Sequence, residues 1–210
     1  MRIVAGTEGS KDFRQAALDR HLEAMSRFIE EARGTKAPAP CCTLILRSAA
    51  SAPAQVLTIM KDALAEAGVQ AKVILAKLEP ESDLRRLYAT LSALSPETDG
   101  TALIRWARNP RLLDAHEQVA YGPAMCWSGD AMRRDADKRN PLALFEMNAP
   151  EAALRAAHAF KALWAASVPA PAHLLDRREI SKPSGAYERA TDALVTALKA
   201  PAQGWPLVRH

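Results

Sequence analysis

The sequence has few aromatic residues and no long apolar run. Aromatics make up 5% of the 210 residues, so the core must be packed mainly from Leu, Val, Ile and Ala. No stretch approaches the roughly 18 to 20 consecutive apolar residues of a membrane-spanning helix, and the first residues lack the apolar core of a signal peptide. These absences predict a cytoplasmic protein without a transmembrane segment.

The cysteine and glycine patterns exclude further kinds of site. There are three cysteines, of which Cys41 and Cys42 are adjacent and Cys126 stands alone. None has the C-x-x-C spacing of zinc sites and redox pairs, so all three are predicted to be small buried side chains. The chain has no glycine-rich phosphate loop, and its His and acidic residues do not fall at metal-ligand spacing. We therefore expect no metal and no cofactor.

The composition is that of an ordinary folded domain with a slight basic excess. Hydrophobic residues make up 49% and charged residues 25% of the chain, which is long enough for one domain with terminal additions. The 28 basic residues exceed the 24 acidic ones, which gives a net charge of +4 and a pI near 9.1. This mild excess favours contact with anions.

Hydrophobic periodicity predicts alternating helices and strands. Helices are expected at 13–33, from Pro53 to Gly68, after Pro80 up to residue 94, from Pro150 to about Ser167, and at 184–199. Strands are expected at 42–47, 69–75, 102–107, 119–127 and 142–147, in a sheet of about five strands. The first two strands flank a helix, a unit that pairs its strands in parallel. We expect one domain over residues 1–167 and a C-terminal arm and helix over 168–210.

Residues 116–132 carry the most informative pattern. A histidine, His116, opens this segment, and Gly129 and Asp130 are predicted to form a turn near its end. The segment resembles the phospholipase D motif, which reads H-x-K, four residues, D, six residues and G-S-x-N. The order of helices and strands before the motif, and the strand and helix after it, are also similar to that family. The resemblance implies an α/β fold with a mixed sheet flanked by helices.

The resemblance assigns roles to single residues and shows where the motif has changed. His116 corresponds to the nucleophilic histidine of the family and Gly129 to its turn glycine. Gln118 stands at the lysine position, Asp130 at the serine position and Met132 at the asparagine position. In the family, the lysine and asparagine hold the phosphate oxygens during attack. Because these donors are altered, we expect a non-catalytic protein whose groove binds a phosphate-containing ligand or serves as a structural surface.

Arginines on both sides of the motif extend this prediction to a basic rim. Arg105 and Arg108 precede His116, and Arg133 and Arg134 follow the predicted turn. Together with Gln118 they are the candidate phosphate-binding residues, and nucleic acid or a phospholipid headgroup is the expected ligand class. The alternative is that these arginines, which alternate with aspartates, form an ordinary solvated surface.

Two other functions and one structural role stay open from the sequence. The first alternative is a divergent phosphodiesterase. The family uses two histidines and only one matches here, so this alternative requires a homodimer in which each copy contributes His116. The second alternative is a protein-protein interaction module, which would bind its partner independently of salt and have no affinity for polyanions. In the structural alternative, His116 opens a strand and is hydrogen bonded to Asp114 or Glu117.

Overall fold

The computed structural model describes residues 8–33, 39–134 and 143–175, which all lie in the first of two compact units, Met1–Arg178 and Glu179–His210. Within these residues the chain is a mixed α/β protein. The helices are α1 (Glu8–Arg33), α2 (Ala52–Ile59), α3 (Lys61–Glu66), α4 (Glu81–Leu94), α5 (Pro150–Ala166) and α6 (Ala172–Leu175). The strands are β1 (Cys41–Leu46), β2 (Gln70–Leu75), β3 (Ile104–Trp106), β4 (His116–Tyr121), β5 (Met125–Ala131), β6 (Leu144–Glu146) and β7 (Val168–Pro169).

The seven strands form one mixed sheet in the order β6-β5-β4-β1-β2-β3-β7. β1, β2 and β3 run parallel, which confirms the parallel pairing predicted for the first two strands. β4, β5 and β6 form an antiparallel meander that joins the sheet through β1, and β7 pairs antiparallel with β3. The parallel and antiparallel halves therefore meet between β1 and β4.

Helices cover both faces of this sheet. In β1, Leu44 and Leu46 pack into the large core beneath α1 to α4, whereas Ile45 packs on the opposite face beneath α5. Side chains alternate in this way because successive residues of a strand point to opposite faces. Both faces are buried, which explains why β1 and β2 read as nearly continuous apolar runs.

The chain reverses between β4 and β5 at a glycine turn. Gly122 has φ of +67°, a left-handed conformation that glycine adopts without the steric cost other residues meet. The ring of Phe28 in α1 would lie 2.8 Å from a Cβ atom at this position. The predicted single strand at 119–127 is therefore wrong, because the turn splits it into β4 and β5. This split and the pairing of β7 raise the sheet from the predicted five strands to seven.

Helix α1 packs over the antiparallel half through a buried histidine. His21 is 2% exposed, and its Nδ1 atom lies 2.6 Å from the hydroxyl of Tyr121 in β4. Its ring centroid lies 4.7 Å from that of Trp127 and 4.9 Å from that of Phe145. One polar pair thus lies inside an otherwise apolar helix–sheet contact.

Some predictions fall outside the described residues. These are the helix at 184–199, most of the arm after Leu175 and the charged loop beyond Arg134. Within the ranges that the structure covers, no helix is long and apolar enough to cross a membrane.

Candidate functional site

Charged residues gather where the parallel strands end. Arg47 directly follows β1, Lys77 follows β2 by two residues, and Arg108 follows β3 by two residues. Because β4 runs antiparallel to β1, its first residue, His116, lies at the same edge. We call the set Arg47, Lys77, Arg108 and His116 the carboxyl edge. Open α/β sheets bind their ligands outside the carboxyl ends of the strands.

One backbone hydrogen bond and one side-chain hydrogen bond hold the strand ends of this edge together. The amide of Lys77 donates to the carbonyl oxygen of Arg47 at 2.7 Å. The indole N–H of Trp106, at the end of β3, donates to the carbonyl oxygen of Ala76 at 3.2 Å. The three strands that precede Arg47, Lys77 and Arg108 are therefore fixed side by side, with neighbouring strands about 4.8 Å apart.

His116 is exposed, and one hydrogen bond orients its ring. Its Nδ1 lies 2.7 Å from the carbonyl oxygen of Gly129 in β5. A carbonyl oxygen can only accept, so Nδ1 carries the proton and Nε2 carries the lone pair when the ring is neutral. The predicted partners Asp114 and Glu117 are not used. The β4–β5 register shifts between His116 and Gln118, and this irregularity allows the ring to reach back to β5.

Glu117 points away from His116 and joins β4 to the loop after β1. Its side chain is 12% exposed, and its Oε1 atom accepts hydrogen bonds from the amide of Arg47 at 2.8 Å and the hydroxyl of Ser51 at 2.9 Å. The Nη2 atom of Arg47 lies 3.9 Å from Oε2, and its Nε atom donates to the carbonyl oxygen of Met132 at 3.1 Å. A carboxylate and a guanidinium that are both largely shielded from solvent therefore support the carboxyl edge from within.

The positions that differ from the phospholipase D motif do not surround His116 with donors. The amide of Gln118 lies 3.5 Å from the hydroxyl of Ser128. Met132 is fully buried in the core beneath α5. Gly129 and Asp130, predicted as a turn, instead lie within β5, because the strand continues to Ala131.

Arg105 does not contribute a free guanidinium to the edge. Its Nη1 atom donates to the carbonyl oxygens of Trp164 and Ser167 at 2.8 and 2.9 Å, and the guanidinium lies 4.9 Å from the centroid of the Trp164 ring. These contacts satisfy carbonyl groups at the end of α5, where a helix leaves its last acceptors without partners. Arg105 therefore caps α5, although the sequence predicted a phosphate contact.

Arg133 and Arg134 are both near the edge and both paired with aspartates. Arg133 lies 2.8 Å from Asp114, and the two side chains are 68% and 59% exposed. Arg134 lies 3.0 Å from Asp130, which is four residues earlier and only 11% exposed. The Arg133–Asp114 pair is exposed on both sides and contributes little stability, so a phosphate can compete for Arg133 at small cost. Arg134 instead neutralises a carboxylate that is largely shielded from solvent.

Lys77 and Arg108 are exposed, and neither has a carboxylate partner among the residues that the structure describes. Within the described part of the chain, no carboxylate oxygen lies within 4.0 Å of either. Arg108 lies 5.7 Å from the centroid of the Trp106 ring. Sequence reasoning named Arg108 but missed Lys77 and Arg47, and it named Glu117 only as a possible hydrogen-bond partner of His116. The signal was present, because Lys77 follows the end of a buried parallel strand.

The groups with clearly shifted pKa values lie elsewhere. Burial raises the pKa of the Cys126 thiol to about 11, with the nearby Glu146 carboxylate adding to the effect, and burial lowers the pKa of His21 to about 3. Cys42 and Cys126 are buried as predicted, whereas Cys41 is exposed. Among the residues that the structure describes, no three His, Cys, Asp or Glu side chains are placed to hold a metal ion.

Comparisons with known proteins add no assignment. No family model, curated protein or solved structure matches this chain. The functional interpretation therefore depends on the geometry of the carboxyl edge.

Proposed function

We propose that this chain is a divergent phospholipase D-like protein that binds the phosphate groups of an anionic ligand at the carboxyl edge without cleaving them. The order of elements supports the family. A helix–strand–helix–strand run precedes the His116 strand, and β6 and α5 follow it with Trp164 near the helix end. The mixed sheet with helices on both faces is the architecture that the resemblance implies.

The exposed cations of Lys77 and Arg108 carry the binding proposal. They follow two neighbouring parallel strands, have no carboxylate partner in the described chain, and lie at the same edge as the exposed ring of His116. Arginine and lysine side chains are the usual partners of phosphate oxygens. Phosphodiesters of nucleic acid or of phospholipid headgroups have the matching chemistry.

The surroundings of His116 favour binding over cleavage. Attack on phosphorus places growing negative charge on the phosphate oxygens, and each aligned donor that is lost typically costs about 2.7 to 4 kcal/mol in the barrier. The amide of Gln118 faces Ser128, and Met132 is fully buried. The Asp130 carboxylate, paired with Arg134, brings negative charge towards the same region.

A second candidate function has one observation in its favour. The hydrogen bond from Nδ1 of His116 to Gly129 leaves Nε2 with a lone pair on an exposed ring, as a nucleophile requires. A phosphodiesterase would need a second histidine, supplied by His116 of another copy. Cleavage of a chromogenic phosphodiester by the native protein, abolished in His116→Ala, would favour this candidate and overturn the non-catalytic one.

The binding proposal is tested by salt-dependent affinity. We would measure binding to a fluorescent single-stranded oligonucleotide and, separately, to vesicles containing phosphatidic acid, which distinguishes the two sources of phosphate. For the oligonucleotide, each phosphate contact contributes about 0.7 to the slope of log affinity against log salt. The double variant Lys77→Ala/Arg108→Ala should therefore bind more weakly, with a slope shallower by about 1.4.

Arg33→Ala is the matched control. Arg33 ends α1, is about half exposed and pairs with Glu66 at the end of α3, near the amino ends of the parallel strands. It should bind as the native protein does. No affinity for either ligand, or equal losses in the control and the double variant, would contradict a phosphate site at the carboxyl edge. Absence of affinity for both polyanions would favour the protein-protein interaction module.

A further inference from the structure

The partly buried carboxylate of Glu117 occupies a position with the chemistry of an anion site. Two hydrogen-bond donors converge on its Oε1 atom, the amide of Arg47 and the hydroxyl of Ser51, and the guanidinium of Arg47 faces Oε2. An amide, a hydroxyl and a guanidinium are the groups that commonly bind oxyanions in proteins. These donors lie on the loop after β1, whereas the carboxylate comes from β4.

Arg47 requires an anion at this position. Its side chain is only 14% exposed, and Glu117 is the one carboxylate within 4.0 Å of it among the described residues. Its Nε atom is satisfied by the carbonyl oxygen of Met132, which carries no full charge. A charge that is shielded from water and has no counter-charge is strongly destabilising. If Glu117 is removed, the guanidinium of Arg47 is therefore left uncompensated and an anion bound beside it would be stabilising.

The start of α2 adds a second reason for negative charge here. Ser51 is the N-cap residue of α2, with φ of −62° and ψ of 142°, yet its side chain makes no capping hydrogen bond to the helix. Its hydroxyl donates to Glu117 instead. Helix N-termini favour nearby negative charge because their first amides have no partner within the helix. The carboxylate of Glu117 therefore takes the place of an anion at the α2 start.

We infer that the amide of Arg47, the Arg47 guanidinium and the Ser51 hydroxyl form a site for a small oxyanion that the chain's own Glu117 occupies. In the native protein this inner site is closed to ligands. Phosphate groups of a ligand therefore meet the outer cations Lys77 and Arg108. The inference does not depend on the proposed function, since it concerns what replaces Glu117 and not what binds the outer cations.

Chemical rescue tests this inference. Glu117→Ala removes the carboxylate and leaves room for formate beside the three donors. Thermal unfolding would be followed in sodium formate and in sodium chloride at equal ionic strength. At ten times its dissociation constant, a ligand specific for the folded state should raise the midpoint of Glu117→Ala by about 3 to 6 °C over chloride. The native protein should show no difference between the two salts.

Two variants make the result specific. Glu117→Gln fills the same volume with a neutral amide, so it should lose stability without responding to formate. Asp130→Ala removes a carboxylate that is 11% exposed, close to the 12% of Glu117. Its partner, Arg134, is exposed, so removing Asp130 leaves no enclosed set of donors. This variant should also show no response. An unchanged midpoint of Glu117→Ala in formate, or equal shifts in all three variants, would overturn the inference.

Folding failure of the alanine variant would not block the test. If Glu117→Ala does not fold in chloride, the readout becomes the yield of soluble folded protein after refolding in formate and in chloride. A formate-dependent yield that falls when Ser51→Ala is added supports the site, and equal yields in the two salts overturn it. A failed oligonucleotide experiment would leave these outcomes unaffected, so the two proposals can be judged separately.

Discussion

The buried His21 predicts a specific acid sensitivity of the fold. Its ring is 2% exposed, with Tyr121, Trp127 and Phe145 against it, and the Tyr121 hydroxyl is its hydrogen-bond partner. Burial lowers the pKa of His21 from 6.5 to about 3, because removal from water disfavours the charged imidazolium form. Protonation therefore favours the unfolded chain, in which the imidazole is hydrated.

The sign and size of the effect follow from this lowered pKa. The contribution of neutral His21 to stability is fully present above pH 6.5, the unfolded value, and is lost as the pH falls towards 3. The loss reaches about 2 kcal/mol at pH 5 and approaches about 5 kcal/mol near pH 3. Domains are commonly stable by only about 5 to 15 kcal/mol, so a large share of the stability is involved.

Urea unfolding between pH 7 and pH 4 checks this prediction. His21→Gln removes the titrating ring but keeps a polar group for Tyr121, so its free energy of unfolding should depend less on pH than that of the native protein. The difference between pH 7 and pH 5 should shrink by about 2 kcal/mol. His158→Gln, at an exposed position of α5, is the control and should retain the native dependence. Parallel pH profiles for the native protein and His21→Gln would refute the reasoning.

Two further predictions concern stability. Gly122→Ala should lower the free energy of unfolding by about 1 to 3 kcal/mol, because it places a Cβ atom at positive φ and against the Phe28 ring; native-like urea unfolding would contradict the need for glycine at this turn. Arg105→Met should cost about 1 to 3 kcal/mol, because the Ser167 carbonyl oxygen loses the guanidinium donor and the Trp164 carbonyl oxygen keeps only the 3.3 Å bond from the Ser167 amide. The same change at the exposed Arg111 should stay within about 0.5 kcal/mol, and equal losses at both positions would argue against the capping role.

The first half of the fold was predictable because local signals mark its boundaries. Pro53 lies in the first turn of α2, and Gly68, with φ of +67°, follows the last helical residues of α3. The predicted strands at 42–47 and 69–75 differ by one residue at their ends from β1 and β2. Burial on both faces left continuous apolar runs there, and such runs are the strongest strand signal in this sequence.

The candidate site was harder to predict because its contacts join distant parts of the chain. Arg105 bonds to Trp164, 59 positions away, and Glu117 bonds to the amide of Arg47, 70 positions away. Local patterns assign charge and periodicity but not these partners. The motif resemblance directed attention to Gln118 and Asp130, whereas strand topology indicates Lys77, which carries no motif signal. His116 was singled out because it corresponds to the histidine of the motif, and it is the first residue of β4.

The two outer strands of the sheet have a consequence for self-association. In the described part of the chain, the sheet ends in β6, which has three residues, and in β7, which has two, one of them Pro169. Short strands, and a proline that has no N–H to donate, are poor templates for the backbone pairing that drives sheet-to-sheet aggregation. At high concentration the folded chain should therefore resist fibril-like stacking along its sheet edges.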